Sequence, residues 1–157
     1  MGRLKMRLVW SFVLVGVIGL AAYGGTVFAT PPAGSVNVTL ARGTDRSHGT
    51  IPLEEGTDIV VSQITIAPGG SSGWHMHPGG AIVVIKQGEV TVNRSVGGQC
   101  ERSTYTAGQA FIEPAGVAHD AINRGTTRYV AFVTYPRVPK GGLTRIDVPD
   151  PGTCSGL

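Results

Sequence analysis

Beyond residue 30 the chain is cut into short β-branched and aromatic runs by Gly, Pro and Asn, and no stretch holds a capped 3.6-residue apolar period. Gly alone supplies 24 of the 157 residues, while charged side chains make up 15%. Short strands joined by tight turns satisfy such punctuation. The expected fold class is therefore all-β, a sandwich or barrel, and the length suits one domain.

The strands can be placed roughly. Ile59 to Ile66 alternates and is stopped by Pro68-Gly69-Gly70. Trp74 to His77 begins a second run, Ala81 to Ile85 continues it, and Gln87-Gly88 turns the chain into Glu89 to Asn93. Ser103 to Thr106, Ala110 to Glu113, His119 to Ile122 and Tyr129 to Thr134 complete the set, with a short strand expected at Val38 to Leu40. Arg42 to Gly49 reads as a polar turn, Ser95 to Arg102 as a loop, and the Pro/Gly-rich chain from Pro136 onward as a tail wrapping the surface. Val83, Ile85, Phe111 and Phe132 are expected inside, and Ile82 and Val84 on the opposite face.

The first 29 residues do not belong to this pattern. Arg3, Lys5 and Arg7 precede an apolar stretch from Leu8 to Ala22, and Val27-Phe28-Ala29 offers a peptidase cut before Thr30. Residues 1–29 read as a signal peptide or, since 8–29 are long enough to cross a bilayer, as a membrane anchor. Residues 30–37 read as a linker and 38–157 as the globular domain. Either reading places that domain outside the cytoplasm. The leader also explains the charge: of 13 basic and 10 acidic residues, it holds three basic and no acidic ones, leaving ten against ten. No nucleic-acid partner is implied. Cys100 and Cys154 both fall in the exported part, where an even count suggests one disulfide, with two unpaired thiols as the alternative.

His75 and His77 are two residues apart in a strand-like stretch, so their imidazoles share a face. His119, just after the Pro114-Ala115-Gly116 turn, could add a third ring from a neighbouring strand. Three histidines on a concave β-surface can hold one divalent ion and leave positions open for water or substrate. An HxH pair alone is a weak signal. The surrounding spacing is more specific: Gly69, five residues, His75, one, His77, ten, Gly88; then Gly108, five, Pro114, one, Gly116, two, His119, three, Asn123.

Both blocks match the motifs of the cupin superfamily. From Val38 to Cys154 the chain resembles small single-domain cupins, and more closely a group of exported bacterial members with a WHxHPG core and a cysteine in each of these two regions. The resemblance implies a single jelly-roll-type β-barrel with a metal held by His75, His77 and His119. The ion could be iron, manganese, nickel, copper or zinc. It also implies a homodimer, with which the apolar outward positions Ile82 and Val84 agree.

One position departs from the pattern. The family usually carries a glutamate four residues after the second histidine, where this chain has Ala81. A three-histidine site resembles that of some cupin-type dioxygenases and should hold metal more weakly. Glu113 is the best candidate to substitute, as fourth ligand, partner of an imidazole N–H, or general base. Its simpler reading is a solvated strand residue. Asp120 should face away from His119, Trp74 should pack rather than stack on a substrate, and His48 should be solvated. The function expected is an exported metal-binding cupin that takes a small organic ligand, either as an oxygenase-type enzyme or as a non-enzymatic binding module.

Overall fold

The computed structural model describes residues 39–47 and 50–154. The expected leader, the 30–37 linker, Val38 and His48 lie outside the described residues. Within them every regular element is a strand: β1 (Thr44–Asp45), β2 (Asp58–Ile66), β3 (His75–Met76), β4 (Ala81–Gln87), β5 (Glu89–Val96), β6 (Gln99–Thr106), β7 (Gln109–Glu113), β8 (His119–Ile122), β9 (Tyr129–Val138) and β10 (Ile146–Asp147). They form two five-stranded sheets, ordered β1-β7-β4-β9-β2 and β10-β3-β8-β5-β6. All pairings are antiparallel except β1 with β7. The chain is all-β, as the punctuation required.

Alternation puts one face of each sheet inside. Val83, Ile85, Phe111, Ala131 and Val133 from the first sheet meet Val90, Val92 and Tyr105 from the second, all buried. Phe111 and Tyr105 stack across the interface with ring centroids 4.2 Å apart. Ile82 is exposed, as alternation demands. Phe132 is not interior, however. It alternates with the buried Ala131 and Val133, is only half-buried, and lies under the Lys86 ammonium at 5.6 Å. An aromatic ring in the middle of an apolar strand carries no mark of its face until the register is known.

Several spans differ from the sequence expectation, among them the run read from Trp74 to Ile85, which divides between β3 and β4 in different sheets. Ser95 to Arg102 is not a loop: β5 and β6 form one hairpin through Gly97-Gly98, paired from Glu89↔Thr106 to Val96↔Gln99. Both glycines have positive φ, 57° and 78°, as a two-residue hairpin turn requires. Thr39 and Leu40 lie outside any strand, and the short first strand falls instead at Thr44–Asp45, inside the span read as a turn. Strand β9 continues past Thr134 to Val138, with Pro136 placed where the β2 register shifts between Asp58 and Val60, so its missing N–H breaks no regular rung. The tail then returns as β10 to pair with β3.

A disulfide joins Cys100 to Cys154, pinning the tail to the β5–β6 hairpin.

Candidate metal centre

The second sheet brings the histidines together. His75 on β3 is paired directly with His119 on β8, and His77 follows one residue past the end of β3. The turns that hold them are locked to one another. Gly116 N–H donates to the His77 carbonyl at 3.0 Å, fixing the Pro114-Ala115-Gly116 turn against the first motif. Asn123 is fully buried and donates through Nδ2 to the carbonyls of Ile66 and Thr127, while its backbone exchanges bonds with Gly69 and Gly70. Asn123 is thus a brace between the motifs, beyond its role as a turn residue.

All three rings are buried, at 5%, 3% and 1% exposure, and their centroids lie 4.3 to 5.0 Å apart. One ligand atom from each lies within 4.8 Å of the others. Each ring has its Nδ1 against a backbone carbonyl: His75 with Gly73 at 2.7 Å, His77 with Thr144 at 2.6 Å and His119 with Val117 at 2.9 Å. A carbonyl only accepts, so each Nδ1 carries the proton. In the neutral rings the lone pair is then on Nε2, the orientation seen when imidazole is held for a metal. His119 Nε2 is buried with no hydrogen-bond partner. The donor set fits one divalent ion of the borderline class.

Glu113 is not a solvated residue. It is 5% exposed, with Oε2 3.2 Å from His77 Nε2 and Oε1 3.4 Å from His119 Nε2. The reason is register. Glu113 on β7 pairs directly with Ala81 on β4, so the two side chains share a face and the longer one reaches the point the shorter cannot. The carboxylate missing from position 81 re-enters from the neighbouring strand. Burial favours the neutral acid, but the charges of His119 and His77 beside it outweigh it and hold the carboxyl well below the usual range. Burial likewise opposes charge on His119, yet Glu113 wins and raises its pKa. His75 has no such partner. Burial, then repulsion from His119, lowers it to about 4.

The adjoining cavity, about 200 Å³, is lined by Ile64, Ile66, Val83, Val133, Tyr129 and Tyr135 among others. Burial and the charge of Glu113 raise the pKa of both tyrosines, so their hydroxyls stay protonated and can donate. Tyr135 also packs on His77 at 4.9 Å between centroids. The tail closes this cavity with Thr144 and Arg145, a contribution the sequence reading missed. Arg145 is held by Asp147 and the Ser72 carbonyl. Asp120 faces away from the rings and accepts from the hydroxyls of Ser71 and Ser72, and Trp74 is half-buried outside the cavity lining, both as alternation predicts.

Residues 62–135 match the family model of the cupin domain. The chain belongs to the cupin superfamily. This cupin is 28% identical over 112 residues to germin-like protein 1 of Brassica napus and 25% identical over 115 residues to auxin-binding protein ABP19b of Prunus persica. The matches cover 70% and 72% of this chain but only 54% of each relative. Among solved structures, Bacillus subtilis oxalate decarboxylase, described with Mn(II) centres, superposes with TM-score 0.53 at 18% identity, over 59% of this chain and 24% of that one. Lactobacillus farciminis oxalate decarboxylase gives 0.51 at 20%, over 59% and 27%. At these identities the structural likeness establishes the fold.

Proposed function

We propose that this cupin is an exported protein that holds one divalent ion through His75, His77, His119 and Glu113 and binds a small organic ligand in the cavity beside it, with oxygenase-type oxidation as its chemistry. One observation carries the reading: three imidazoles, each with Nδ1 tied to a backbone carbonyl, meet a buried carboxylate at a common point. When bound, an ion would supply Lewis acidity and open positions for oxygen donors. The chain's own residues do the rest. Tyr129 and Tyr135 present hydroxyl donors, the aliphatic wall excludes water, and the small volume limits the ligand to less than drug size. The leader and the Cys100–Cys154 bridge support export. The exposed Ile82 on the outer face of β4 supports a homodimer.

A second reading, a non-enzymatic binding module, is favoured by a specific feature. Glu113 is committed to two imidazoles and both tyrosines are held protonated, so the cavity has no free general base. Elemental analysis of the purified protein, followed by oxygen uptake with small phenols, thiols and diketones, tests both. Near-stoichiometric metal with turnover supports oxidation. Metal with tight ligand binding and no turnover supports the module. Wild-type protein that neither carries nor takes up iron, manganese or zinc would end the metal reading.

A further inference from the structure

A second cavity, about 430 Å³, opens beside β6 and β7; none of the three histidines lines it, although its Arg94 is the cross-strand partner of His119. It is lined by Arg46, Arg94, Glu101, Ser103, Tyr105 and Ile112, among others. Arg94 is the unusual member. It sits on the inward face of β5 with Val90 and Val92 and is 7% exposed. No carboxylate among the described residues lies within ion-pair distance of it, and its Nε is buried without a hydrogen-bond partner. Among the described residues its one side-chain bond is a long one, Nη2 to the Ile112 carbonyl at 3.4 Å.

A buried guanidinium without a counter-charge is costly, and the group cannot escape by losing its proton. The surroundings pack it against aromatic rings instead of neutralising it. The guanidinium carbon lies 6.0 Å from the Tyr105 ring centroid and 5.8 Å from that of Phe111, and those rings are themselves stacked. Held by the rings, the group keeps Nε–H unspent, an arrangement matched to the planar, two-point recognition of an oxyanion. Glu101, paired across the ladder from Arg94, could have neutralised it, but it is exposed and makes no ion pair with it. Arg46 adds a second cation at the rim, and Ser103 is half-buried beside it. The Ser47 hydroxyl is already spent, donating to Asp45 and accepting from Ile112 N–H.

We propose that this cavity is a binding site for a small oxyanion, a carboxylate or an inorganic oxyanion, recognised by Arg94 with Arg46 at its mouth. The test uses the full chain loaded with zinc and the ¹⁵N-labelled Arg94 Nε–H resonance, titrated with sodium sulfate in one arm and sodium acetate in the other, at constant ionic strength set with chloride. A saturable shift with sulfate alone identifies an inorganic oxyanion site. A shift with acetate alone identifies a carboxylate site, and a shift with both identifies the shared chemistry. Arg94→Gln should weaken the anion about tenfold or more, followed by a ligand-observed signal or calorimetry. Should Arg94→Gln fail to fold, Arg46→Gln and Ser103→Ala, both away from the buried core, should each weaken the shift several-fold while leaving zinc content unchanged. No saturable shift in either arm overturns the proposal, as does undiminished affinity in folded Arg94→Gln or in the Arg46→Gln/Ser103→Ala double variant.

Discussion

The histidine cavity and the Arg94 cavity differ in what their buried polar groups leave unanswered. Around the histidines the partners are dense. Three Nδ1 protons are bound by carbonyls, Glu113 lies between two rings, and the capacity left over is a set of Nε2 atoms facing one point. Around Arg94 the partners are sparse, and the capacity left over is an N–H donor on a fixed cation. Lone pairs without protons call for a cation, and protons without lone pairs call for an anion. One fold thus presents, on either side of the stacked Phe111–Tyr105 layer, two sites of opposite sign. What distinguishes them is the residual bonding, since both are enclosed by the same aliphatic and aromatic strands.

The most severe way to break this contrast is to remove a ring. His75→Ala or His119→Ala should abolish metal retention, read by elemental analysis after desalting, because each imidazole is a buried ligand held by its own carbonyl. The sulfate or acetate response at Arg94 should persist in His75→Ala. Loss of both responses together would show one connected site where the geometry has two.

Next in size is the disulfide. Cys100→Ser with Cys154→Ser frees a closed loop of 54 residues, which on the chain-entropy account lowers stability by about 4 kcal/mol. Chemical denaturation with linear extrapolation measures it. The effect should also be unequal between the cavities. The tail carries the Thr144 carbonyl that orients His77, so metal affinity should fall in the folded variant too. A stability loss with metal affinity untouched would mean that β10 alone seats the tail.

Much of this was legible before any coordinates. Period-two runs and turn residues marked most strands between Ile59 and Tyr129, though not the hairpin end at Ser95 to Arg102, and the His75, His77 and His119 spacing named the rings that meet. What sequence could not supply was register and cross-chain reach. Glu113 stayed open between substitute ligand and solvated acid because nothing local says that it stands opposite Ala81. Phe132 looked interior because apolarity does not reveal face. The Thr144 carbonyl was invisible as a partner, since a backbone acceptor has no side-chain signature and lies 67 residues from the ring it holds. Arg94 drew no notice for the same reason: its burial is a property of the closed barrel.

The Ala81–Glu113 pairing permits a sharper test than deletion. Glu113→Ala should weaken metal binding by about tenfold to a hundredfold, through loss of a charged oxygen at the centre. The double variant Ala81→Glu/Glu113→Ala puts the carboxylate back on β4, across one rung of the same ladder. It should recover most of the loss, measured by competition with a metal-sensitive dye. Ala81→Glu alone crowds two carboxylates into one buried face and should destabilise the metal-free protein. If the double variant binds no better than Glu113→Ala, the centre depends on the β7 backbone and not on the presence of a carboxylate at that face.

The smallest expected effect is the proton count. Glu113 raises the pKa of His119, whereas burial lowers His75 to about 4. The metal-free site therefore keeps a proton on His119 up to a higher pH than a free imidazole would, while His75 carries none near neutral pH. Metal needs both rings neutral, so binding must expel the proton of His119 while His75 contributes nothing. The sign follows: affinity rises with pH while His119 is protonated, by at most about one decade per pH unit for a single proton, and levels off above its pKa. Calorimetry in buffers of different ionisation enthalpy counts the protons released. Glu113→Gln removes the charge that raises His119, so its pKa should fall and the release near neutral pH should shrink. A proton release that is the same in wild type and Glu113→Gln would mean that Glu113 does not set the proton on His119.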